Sequence, residues 1–172
     1  MVHRGIATLA GLLMLCFFLL SHLDPGFFLY HLYQSLIFLA IILMLFYFED
    51  QYAYMLGMIA PSVWVLLIFA TGLLGGAMSQ FWMVLTFRIG QAVPVTPGIV
   101  QQEAQFNPVS FLAGITALLA VAMIGFCAQR WKREYAGLGK GLTTFLVSLG
   151  IVLVYYGVMI LFFLREFPLP SR

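Results

Sequence analysis

DPGFFLYHLYQSLIFLAIILMLFYFED, residues 24–50, decides how the rest of the chain is read. Between its acidic ends, the 22 residues 27–48 carry no formal charge. As a helix rising about 1.5 Å per residue they reach about 33 Å, enough to cross the hydrocarbon core of a bilayer. The entry is written as a helix start: Asp24 is placed to cap the first free N–H groups, and Pro25 takes the first helical position, where a missing N–H costs nothing. Composition agrees with lipid as the main solvent. Of 172 residues, 63% are hydrophobic and 8% charged, with a mean hydropathy of +1.05, against about 25% charged in soluble domains.

Working towards the N-terminus, His3 and Arg4 precede the apolar run 5–20, which superficially resembles a secretory leader. Ser-His-Leu-Asp-Pro follows instead of a small-x-small cleavage site, and bulky Leu15 before Cys16 argues against a lipoprotein signal. The expectation is a retained span at 5–21, with Ala7 and Gly11 as a small-residue face.

Towards the C-terminus, 37 residues (51–87) pass without a charge before Arg88. A straight helix of that length would extend about 55 Å, well past the hydrocarbon core, so the segment must bend or leave the membrane. Pro61 supplies a bend. A third span is expected at 54–77, with Ser79 onward, including Trp82, running along the interface. Gly72 with Gly76, and Gly75 with Ser79, make two small-xxx-small pairs. The outer loop 86–108 contains Pro94 and Pro97 and has the signature of a short helix ending near Gln105. Asn107-Pro108 then repeats the cap-and-proline entry for a span at 109–128, where Ala113, Gly114 and Ala117 form a smooth face. A basic turn at 129–140 (Arg130, Lys132, Arg133, Lys140) leads to a last span at 142–164. There Thr144, Ser148 and Tyr155 lie near one face, with Gly150 and Gly157 on a neighbouring stripe. The fold class is therefore all-α, a polytopic transmembrane helix bundle of about five spans in a single integral membrane domain, 1–172.

Five crossings place the N-terminus and the basic turn on one side. The positive-inside rule makes that side cytoplasmic: Arg4, Arg130, Lys132, Arg133 and Lys140 lie within, against Arg88, Arg165 and Arg172 outside. The Glu49–Asp50 turn would then face the basic cluster.

Eight Lys and Arg are too few and too scattered for a nucleic-acid footprint. Cys16 and Cys127 stand outside any CxxC or Cys/His spacing and read as apolar packers. The chain has no HExxH, GxSxG, Walker loop or paired intramembrane carboxylates, so it leans away from enzymes. Gly137-Leu-Gly-Lys140-Gly lacks the spacing of a phosphate cradle and reads as a turn.

One cluster stands out. His31 lies beside Gln34 and Ser35 at helical offsets of three and four, and Tyr30 beside Tyr33 and Gln34, while His22 and Asp24 enter from the preceding loop. Tyr30, His31, Gln34 and His22 are the candidate cofactor-binding residues, suited to a quinone headgroup, a haem or chlorophyll, or a proton. The ordinary reading competes: tyrosines are common at interfaces, and water or a backbone carbonyl can satisfy His31. No histidine on a later span faces His31, which excludes a bis-histidine haem held by opposed helices within one subunit, except through a loop residue or a homodimer. The leading expectation is a small non-catalytic subunit that packs through lipid-facing small-residue stripes against other membrane subunits or a second copy. A redox, pigment or quinone subunit centred on His31 is the alternative. A small-solute carrier using Pro61 and the Gly72–Gly76 region is the third reading.

Overall fold

The computed structural model describes residues 3–47, 50–86, 106–135 and 141–166. Among them the chain forms six α-helices and one 3-10 turn, with no strand: α1 (His3–Leu23), the turn Pro25–Phe27, α2 (Phe28–Tyr47), α3 (Asp50–Ala70), α4 (Leu73–Leu85), α5 (Pro108–Glu134) and α6 (Gly141–Glu166). Five are long and apolar enough to span a membrane: α1, the turn continuous with α2, α3, α5 and α6. The fifteenth-residue mark is not reached by α4, whose 13 residues rise only about 20 Å, too short to cross alone.

Two span ends differ clearly from those expected. The third span ends at Ala70, not at residue 77, because Gly72 takes a left-handed backbone (φ +75°) that interrupts the helix. Its N–H bonds the Phe69 carbonyl, and the Thr71 N–H bonds Leu67. This is a helix stop that glycine adopts without penalty. The segment from residue 79 on is therefore the second half of a separate helix, packed against the N-terminal part of α5. Pro61 does not end α3, which runs through it; the Tyr156 hydroxyl of α6 donates to the Ala60 carbonyl beside it at 3.3 Å. Neighbouring helices commonly satisfy backbone groups around a proline inside a membrane.

The fourth span continues past residue 128 to Glu134, so Arg130, Lys132 and Arg133 lie on helix and not in a turn. Basic side chains in a last turn complement the helix dipole, and Arg130 meets Glu134 one turn on at 3.4 Å. Pairing of these cations with Glu49, the short helix before Gln105, and the Gly137–Lys140 turn all fall outside the described residues.

The two cap-and-proline entries behave differently. Asn107 caps as expected, its side chain accepting from the N–H groups of Val109 (3.0 Å) and Ser110 (3.2 Å). Asp24 stands at the equivalent place before Pro25 but makes no side-chain cap bond. Its carboxylate is directed towards His31 instead.

The core lies where α1, α2, α3 and α5 meet. Phe17 of α1 stacks on Phe38 of α2 with centroids 5.5 Å apart and stands edge-on to Trp64 of α3 at 5.1 Å. Aromatic pairs of this geometry add about 0.5–1.5 kcal/mol beyond their burial. Ala117, Ala120, Met123 and Cys127 line the inner face of α5, and both cysteines are free and buried, as expected of apolar packers.

Two glycines let helices approach closely. A Cβ on Gly114 would sit 2.8 Å from the Ala77 carbonyl oxygen of α4, and one on Gly57 would meet the Cys127 sulfur at 2.7 Å. The other small pairs seen in the sequence are open: added Cβ atoms at Gly11, Gly75, Gly76, Gly150 and Gly157 meet nothing within 4 Å. On α1 the buried stripe is instead Ile6, Ala10, Leu13, Phe17 and Leu20.

Gly114→Ala is expected to destabilise the purified protein by about 1–3 kcal/mol, because the obstacle is backbone and not a flexible side-chain end. Gly150→Ala should be neutral or stabilising by up to about 1 kcal/mol, since only helix propensity changes. Thermal unfolding in detergent compares the two directly.

Candidate functional site

Position 24 begins a short polar descent into the bundle at the end where α1 finishes and α2 begins. The Asp24 side chain is 30% exposed and that of His31 14%, while Gln34, nearly one turn further along α2, is fully buried. The spacing of 31, 34 and 35 puts all three on the face of α2 that also buries Ile37, Phe38 and Ile41.

Inside this face the hydrogen bonding is uneven. The Ser35 hydroxyl donates back to the Leu32 carbonyl at 2.6 Å, and Ser21 of α1 does the same to Phe18 at 2.6 Å. His31 and Gln34 have no such recourse: the buried Nδ1 of His31, and both Nε2 and Oε1 of Gln34, make no hydrogen bond of good geometry among the described residues, although the Gln34 amide stands close to the Tyr30 and His31 side chains. Leaving a buried polar group unpaired costs about 1–3 kcal/mol. The other ring nitrogen of His31, Nε2, stands 3.9 Å from Asp24 Oδ2. That is beyond hydrogen-bond reach but within ion-pair range when the imidazole is protonated.

The expected patch is thus split by the geometry of α2. Tyr30 stands edge-on to His31 with ring centroids 5.4 Å apart. Tyr33 turns towards α6, where its ring stacks on Tyr155 at 4.5 Å and its carbonyl accepts a hydrogen bond from the Tyr155 hydroxyl. His22 is exposed and engaged with its own helix: its Nδ1 lies 2.9 Å from the Phe18 carbonyl and its ring packs on Phe18 and Phe28. Of the four residues singled out, the structure therefore sets His31 and Gln34 inward, with Tyr30 beside them, and leaves His22 outside.

A second feature was not legible in the sequence. Between the beginning of α2 and the end of α6 runs an apolar cavity of about 590 Å³. Its walls include Pro25, Phe28, Tyr30, Tyr33 and Leu36 on one side and Val158, Met159 and Phe162 on the other. No periodicity in either helix announces it, because it exists only where the two diverge.

Among the described residues no group of three or more His, Cys, Asp or Glu side chains comes together to hold a metal ion. The arrangement is suited to hydrogen bonding a neutral polar group and to enclosing an apolar one. No family model, curated protein or solved structure matches the chain.

Gln34→Leu should raise the unfolding temperature of the purified chain, because an apolar residue of similar size replaces unpaired buried amide atoms. Tyr155→Phe should destabilise the chain by about 0.6 kcal/mol and at most about 1.7, the worth of a single interhelical hydrogen bond in lipid. Both are read in the same thermal assay.

Proposed function

We propose that this integral membrane chain is a small non-catalytic subunit of a larger membrane assembly. The observation that carries the reading is how α6 is held. Its buried stripe is Thr144, Ser148, Val152, Tyr156 and Met159, whereas Leu142, Leu153, Val154 and Leu161 are 55–71% exposed. In its most apolar window only 22% of residues are buried, against 50% in α3. Lipid tails cover such a face as well as a protein does, so hydrophobicity alone gives no reason for a partner; close backbone approach at small residues does. Gly150 lies open on this face, and Gly75 and Gly76 lie open on α4. By the positive-inside rule the end carrying Arg130, Lys132 and Arg133 belongs on the cytoplasmic side.

Affinity isolation in mild detergent should recover the chain with a stoichiometric membrane partner, either another subunit or a second copy. Gly150→Leu should release that partner while leaving the chain monodisperse. Recovery of the unaltered chain as a monomer alone would overturn the reading.

The unpaired atoms of His31 and Gln34 favour a second reading, a ligand-binding subunit with its site at that end of α2. If the ligand is a haem or chlorophyll, its absorption band should vanish in His31→Ala; a quinone would be found by extraction.

A further inference from the structure

Two features at the same end of α2 have complementary needs. The polar recess holds hydrogen-bonding atoms without partners: His31 Nδ1 and both amide atoms of Gln34. The α2–α6 groove, about 590 Å³, holds apolar walls with nothing between them and lies within the 300–1,000 Å³ typical of small-molecule sites. One side chain belongs to both. Tyr30 lines the groove and stands edge-on to the His31 ring at 5.4 Å, and on a helix it neighbours Gln34 at an offset of four.

We propose that Tyr30 partitions a single amphiphile site, with a neutral headgroup seated at His31 and Gln34 and an apolar chain lying in the groove between α2 and α6. This rests on the second reading above, a ligand site at His31, and gives that ligand a chemical class.

The class follows from the groups present. Gln34 offers one acceptor and a two-hydrogen donor, and His31 Nδ1 is a donor or an acceptor according to tautomer. A headgroup that both donates and accepts, such as an alcohol or a quinol, satisfies both residues. An anionic head is disfavoured, because the Asp24 carboxylate stands 3.9 Å from the far side of the same imidazole and like charges in a low-dielectric site repel strongly. The tail must be largely apolar, because Phe28, Leu36, Val158, Met159 and Phe162 dominate the groove walls, with Tyr30 and Tyr33 among them. Admitting the head requires Tyr30 to swing about its side-chain torsions, which brings recess and groove into one space.

Photolabelling tests this with the purified full chain in detergent, using hexadecanol carrying a diazirine near the end of its tail. Label should be recovered on peptides containing residues 27–36 and 158–162. It should be displaced by excess hexadecanol but not by hexadecane at the same mole fraction. Met159→Trp, which fills the groove, should abolish labelling, and Gln34→Leu should weaken it about three- to tenfold, the worth of one buried hydrogen bond. Three results would overturn the proposal: equal displacement by hexadecane, equal displacement by palmitate at neutral pH, or label spread over the exposed faces of α1 and α5. The first two are read on the unaltered chain and so stand even if a variant fails to fold. Partner isolation does not enter the assay, so its failure and that of the subunit reading are separable. A pigment or quinone found at His31 with no labelling of the groove would sink this proposal and keep the ligand-site reading.

Discussion

The absence of water in a bilayer core is the constraint from which the rest of this structure follows. Every N–H and C=O in the hydrocarbon layer must be bonded within the protein, and a helix is the way a single segment does so. That is why stretches as irregular in composition as α2, with its tyrosines and histidine, and α3, with its internal proline, are both helical from end to end. Once formed, the helices gain little by hiding apolar surface, because lipid is as apolar as leucine; they are held by fit. Fit is concentrated where Gly114 meets the backbone of α4 and Gly57 meets Cys127, and where Phe17, Phe38 and Trp64 close the middle of the bundle.

The same constraint sorts the buried polar side chains into two kinds. Ser21, Ser35, Ser62 and Thr116 each return their hydroxyl to a carbonyl three or four residues back on the same helix. A short side chain can do this without leaving its own turn, so these residues say little about function. Gln34 and His31 do not: their longer side chains carry the polar atoms away from their own turn, and these atoms make no hydrogen bond of good geometry among the described residues. Ser148 on α6 is a third exception, its buried hydroxyl also unpaired, but it lies nearer the opposite end of that helix. The ligand-site reading therefore turns on the two long polar side chains of α2 and not on the total of buried polar groups.

Placement of Asp24 illustrates how local and tertiary demands compete. Locally it stands where a capping carboxylate belongs, before a proline and a helical turn, as Asn107 does before Pro108. Asn107 caps two N–H groups. Asp24 leaves the cap unmade and faces His31, which only the return of the chain through the 3-10 turn brings near. The aromatic side chains divide in a comparable way. Tyr33 and Tyr155 meet across 122 positions of sequence, and it is this contact that ties α6 to α2 beside the groove.

By itself the sequence determined the helical class, the five membrane-crossing segments and the polar end of α2, because charge-free length and capping residues act within a single segment and lipid permits few alternatives. It also marked both cysteines as packers. Helix stops were less legible. Pro61 and Gly72 both have the composition of breakers, but α3 continues through the proline, whereas the left-handed glycine ends it. Only the tertiary structure decided which glycines are filled and which lie open, that His22 parts company with His31, and that α2 and α6 diverge into a groove beside Tyr30. Each of these depends on distances between segments remote in sequence, and no periodicity along one helix carries that information.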